Sequence, residues 1–230
     1  MENLPTWSLE GKIDMYSYSK TAFDSHQTDY EKKSCFNNIY NSLKGDYQVF
    51  RNANGECWDS NRIFEFLFLE MKEFDRKVNL LNINNDQLNK MENILEKMRS
   101  LKPLKYNCYP TMAVSKFLHF FNPGLFPIYD NAIVEDIAFS VFKNDYTIFC
   151  NYINPNYVDK GCEFIIMYVK WVKSIFEGIE TNEIMNEYVD FFTQNIGVDY
   201  GRKEVLMELN SYYAAAFENI FIGAAYIEKN

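Results

Sequence analysis

Three residues stand apart in the segment 115–130, SKFLHFFNPGLFPIYD: Lys116, His119 and Asp130. Each carries a group that can hold charge or move a proton, and each is set among Phe, Leu, Ile and Tyr. The spacing ties them to local structure. Pro110 interrupts what precedes it, Thr111 is a good N-cap, and the apolar run 112–121 reads as a helix stopped by Asn122-Pro123-Gly124. Lys116 and His119 are three apart and share a face of that helix. Leu125-Phe126-Pro127-Ile128 is then an extended apolar link. Asp130 follows it, directly before the helix-like run 131–143.

The residue types admit two roles at each position. An aspartate at a helix start is a preferred cap, worth about 1 kcal/mol. The same carboxylate, kept ionised by backbone N–H groups and the helix dipole, suits stabilising a developing positive charge and is poorly suited to donating a proton. His119 fits a core histidine bonded to a backbone carbonyl. Lys116 fits a lysine that buries its stem and keeps its ammonium in water. The Pro110-Thr111 turn opens a helix with free N–H groups, an arrangement that holds phosphates. Lys102, Lys105 and Lys116 lie close to it in sequence. With Tyr129, Phe126, Trp171 and Tyr168 as rings available for stacking, this end of the chain suits a nucleotide.

The segment 110–134, PTMAVSKFLHFFNPGLFPIYDNAIV, resembles the core of the helix-hairpin-helix DNA glycosylase superfamily, which includes the 8-oxoguanine glycosylases and endonuclease III-like enzymes. In that family a hairpin opens a helix, an apolar linker follows, and a catalytic aspartate starts the next helix. The resemblance implies that Pro110-Thr111 ends the hairpin, LFPI is the linker, and Asp130 is the catalytic aspartate. It covers 25–50 residues of 230. Three features depart from the pattern. KYNCYPT (105–111) holds no glycine, Met112 stands where bifunctional members carry the Schiff-base lysine, and Tyr129 shifts the aspartate by one position. The implied activity is monofunctional N-glycosidic chemistry on a flipped base, or recognition without catalysis.

Charge sets limits on partners. The net charge is −9, against the basic excess usual in nucleic-acid binders. Yet the stretch from Lys97 to Tyr129 holds five basic residues, Lys97, Arg99, Lys102, Lys105 and Lys116, and no Asp or Glu. An acidic chain with one positive segment is compatible with DNA or a free nucleotide. It is equally compatible with a non-enzymatic helical module that binds a small nucleotide or a protein partner, for example in phage–host conflict.

Other chemistry is sparse. The P-loop, dinucleotide, zincin and nucleophile-elbow signatures are absent, so no cofactor is expected. Two histidines and five cysteines without a C-x-x-C make a structural zinc site an unattractive reading. Those cysteines fit reduced thiols in the cytoplasm. Cys162 falls at a predicted helix start, where a thiol's pKa is lowered, although no histidine lies beside it in sequence. VDYGRKE (198–204) offers Arg202 and Lys203 after Gly201. The start of the chain lacks the pattern of a signal peptide, and no apolar run is long enough for a membrane span.

The elements that must position these residues are mainly helical. Helical spacing predicts 28–44 (Tyr30, Ile39, Tyr40, Leu43), 60–77 from an Asp59 or Ser60 cap, 85–101, 111–121, 131–143, 161–177, 182–196 and 202–228. DYQVFRNANGECW (46–58) suggests one small β-hairpin around Asn54-Gly55. The expected architecture is a compact, mainly α domain, or two packed lobes, with 85–145 as its helix-hairpin-helix-like part.

Overall fold

A computed structural model describes residues 9–45, 58–101, 111–129, 161–195, 205 and 207–222. These are mainly α-helical. The helices are α1 (Leu9–Phe23), α2 (Asp29–Gly45), α3 (Ser60–Leu69), α4 (Asn85–Glu96), α5 (Thr111–Phe121), α6 (Gly161–Glu177), α7 (Thr181–Asn195) and the short α8 (Tyr213–Ala216). No strand occurs among the described residues. The expected hairpin at 46–58 (up to Cys57) and the expected helix 131–143 lie outside them, as do Lys102, Lys105, Asp130, Arg202 and Lys203.

Local signals account for several boundaries. The Asp59 carboxylate caps α3 by accepting the N–H groups of Asn61 (2.8 Å) and Arg62 (3.1 Å). Asn84 and Gln87 form a reciprocal capping box at the start of α4. Thr28 and Glu31 exchange bonds in the same way at the start of α2.

Helix α5 is the central element. Its sequence is apolar on nearly every side, and such a helix belongs inside. From Ala113 to Phe121 every residue is buried, including Ser115, Lys116 and His119. Helices α1 and α6 pack directly against it, α2 packs on α1, and α4 packs on α6. Phe36, Phe64, Phe117, Phe120 and Phe126 belong to one continuous core.

Three expectations need correction, and α1 adds a helix to those read from spacing, with Ile13, Tyr16, Ser19 and Ala22 among its buried residues. Tyr30, placed by spacing on the apolar face of α2, is 83% exposed. The buried stripe is Lys32, Phe36, Ile39, Tyr40 and Leu43, and Tyr30 falls about a third of a turn off it.

The continuous helix expected over 60–77 ends at Leu69 and resumes as a single 3-10 turn, Lys72–Phe74. The side-chain amide of Asn122 holds the chain that follows the break. Its Nδ2 donates to the carbonyls of Phe74 (3.0 Å), Asp75 (2.7 Å) and Val78 (2.7 Å), which a continuing helix would have turned along its own axis.

The expected helix 202–228 is also broken. A 3-10 turn (Leu209–Ser211) leads to α8 and then to a π-helical turn, Phe217–Ile222. Two contacts redirect the backbone. Ala215 donates its N–H to Pro123 O (3.0 Å), and a Cβ on Gly124 would lie 2.6 Å from Ser211 O. The chain at 211–215 is therefore fitted to the Asn122-Pro123-Gly124 turn.

Candidate functional site

The segment Phe126–Tyr129 has no secondary structure of its own and is fixed by side chains from three elements. From α5, His119 bonds Phe126 O through Nδ1 (2.8 Å) and Ser115 Oγ accepts the Tyr129 N–H (3.0 Å). From α6, the Tyr168 hydroxyl donates to Ile128 O (3.3 Å). From the π-helical turn, Glu218 Oε1 accepts the Ile128 N–H. The peptide that leads into Asp130 is thus held at both its N–H and C=O groups.

His119 is the core histidine that its sequence position suggests. Phe126 O can only accept, so Nδ1 carries the proton and Nε2 is the acceptor for the Tyr16 hydroxyl (3.0 Å). The ring is neutral. Burial holds its pKa down to about 3, the Lys12 charge adds to this, and the bond to Phe126 O opposes it.

Lys116 departs from the surface role: it is only 4% exposed. It lies near enough to Glu218 to favour the ionised carboxylate. Lys97, another member of the acid-free run, pairs with Glu70 at 2.5 Å. The positive segment is therefore not one continuous phosphate-facing patch: one of its lysines is inside and another is already paired. Thr111 opens α5 and is buried as well.

Three of the four ring residues nominated for stacking come together. Tyr129 meets Tyr168 edge-on (centroids 6.0 Å), and Tyr168 stacks on Trp171 (5.9 Å, 25°). Phe164 closes on Tyr129 at 4.5 Å, and Phe217 meets Trp171 at 5.7 Å. Phe126 is fully buried, and it meets His119 through its backbone carbonyl. Tyr129 and Tyr168 are about 1% exposed and Trp171 is 8%. All three rings are buried, Trp171 least completely.

Sequence reasoning missed the ionisable centre of this region. Glu218 faces His119 Nδ1 at 3.4 Å, with Lys12 and Lys116 contributing opposing charge. Burial is the largest influence and pushes its carboxyl up to about 7, against the pull of the Ile128 N–H and the two lysines. Lys12 donates to Asn219 Oδ1 (2.8 Å), and burial lowers its pKa despite the Glu218 charge. Tyr188 is buried with a hydroxyl that makes no hydrogen bond of ordinary geometry among the described residues. Burial, then the Glu218 and Tyr212 charges, raise its pKa well above the usual phenol range, with partial relief from Tyr16. A glutamate in a run of Ala, Phe and Ile was the available signal. The π-helical register that turns it inward was not legible.

A second network lies on the other side of Tyr16. Arg76 reaches Glu208 (3.1 Å), Ser19 Oγ (2.9 Å) and the Tyr212 hydroxyl, and Lys20 joins Glu208 at 2.8 Å. Ser19 in turn donates to Phe120 O. This network clamps α1 to α5 and to the turn before α8.

Cys162 corrects another expectation. Its thiol is pushed up to about 12, first by burial and then by Glu96, which accepts from Sγ at 3.2 Å. The helix start does not outweigh a neighbouring carboxylate. Among the described residues no group of three or more His, Cys, Asp or Glu is placed to hold a metal ion, and no helix is long and apolar enough to cross a membrane. Comparison of the chain with protein-family models, with curated proteins and with solved structures gives no match.

Proposed function

We propose that this chain is a divergent glycosylase-like helical protein that recognises a nucleobase or nucleotide, with monofunctional N-glycosidic chemistry at Asp130. The observation that carries the proposal is the fixed peptide ahead of Asp130. Four side chains from α5, α6 and the π-helical turn bind the backbone of Phe126–Tyr129. A reacting carboxylate must be held within a fraction of an ångström of its productive position, and rigid support of the backbone before it serves that need. The nearby panel of Tyr129, Tyr168 and Trp171 supplies apolar walls.

The test is base release from a panel of duplexes carrying oxidised, alkylated or deaminated bases, wild type against Asp130→Asn. Release by the wild type that Asp130→Asn abolishes supports the proposal. Equal release by both removes Asp130 from the chemistry. Duplex binding must also weaken steeply with salt as counterions are recaptured, and absence of binding at ~50 mM salt removes the duplex substrate.

One observation favours a second reading, a non-enzymatic helical module for a small nucleotide or a protein partner. Tyr168 stacks on Trp171 and meets Tyr129 edge-on, and all three rings are buried, which leaves little room for an inserted base. Mass spectrometry of small molecules released from the purified protein distinguishes it: a co-purifying nucleotide, without base release from any duplex, is its signature.

A further inference from the structure

We draw no further inference here: the strongest candidate, the part-buried side-chain cluster of Lys20, Arg76, Glu208 and Tyr212 where α1 meets the turn before α8, is held together by its own ion pairs and hydrogen bonds, and nothing among the described residues shows a ligand or an opening beside it.

Discussion

Glu218 accepts the backbone N–H of Ile128 from ninety residues further along the chain. This bond closes a buried carboxyl onto the link between α5 and Asp130, and it makes the stability of the fold depend on protonation. Folding raises the Glu218 pKa from 4.5 to about 7, so the native state holds a proton that the unfolded chain releases within that window. The group's contribution is full below about 4.5 and is lost as pH rises through about 7. Glu218→Gln lacks this term. Its unfolding free energy relative to the wild type is expected to increase from pH 4.5 to 7 and to level off above, as read by urea denaturation at a series of pH values.

His119 acts in the opposite direction. Its folded pKa is depressed from 6.5 to about 3, so the unfolded chain takes up a proton that the native ring refuses. Stability from this group is present above 6.5 and declines as pH falls toward 3. Tyr16→Phe removes the donor to Nε2 and leaves a buried acceptor unsatisfied. A loss of about 1–3 kcal/mol is expected. Histidine NMR should show no titration of His119 between pH 5 and 8, and a midpoint in that range would refute the neutral assignment.

Asn122 is the strongest single stability prediction. Its amide serves three carbonyls, and its Oδ1 accepts the Gly124 N–H (3.0 Å). Asn122→Ala strands several buried backbone groups at once and is expected to cost about 3 kcal/mol or more in chemical denaturation. Asn122→Asp should be no better, because a carboxylate would face those same carbonyl oxygens. A loss below about 1 kcal/mol for Asn122→Ala would mean that other groups hold the turn.

Gly124→Ala tests the fit between this turn and the chain before α8. The added methyl would meet backbone, Ser211 O at 2.6 Å, and not the flexible end of a side chain. A destabilisation of about 1–3 kcal/mol is expected, read as a lowered midpoint in thermal unfolding. An unchanged midpoint would show that the 211–215 segment gives way freely.

Cys162 should be chemically silent in the native state. Its thiol is held at about 12 by burial and by Glu96. Iodoacetamide labelling followed by peptide mass spectrometry should find it unmodified at pH 8 until denaturant is added. Glu96→Gln removes the charge that opposes the thiolate and is expected to speed its labelling.

Much of the helical framework was legible because it rests on local periodicity. Helix α6 spans the predicted 161–177, and α5 starts within one residue of its predicted beginning and ends at Phe121 as the Asn-Pro-Gly stop requires. Helix α1 was not legible. Its inward face mixes Ile13, Met15, Tyr16 and Ala22 with the buried Ser19, and Lys12 and Ser19 bond to groups of other elements, so the apolar signal along the helix is weak. The same physics hid the candidate site. Lys12, Tyr16 and Glu218 lie outside the segment that held Lys116 and His119, and nothing in their local sequence marks them as partners.

The sequence by itself determined the helical class, the fixed turn after α5, and the link that leads to Asp130. Those depend on side-chain period, proline, glycine and capping groups, all of which act within a few residues. Tertiary structure alone decided that Lys116 is inside, that His119 is neutral, and that Glu218 grips Ile128. Each is set by desolvation and by partners brought from distant elements, and those terms exist only once the helices have packed.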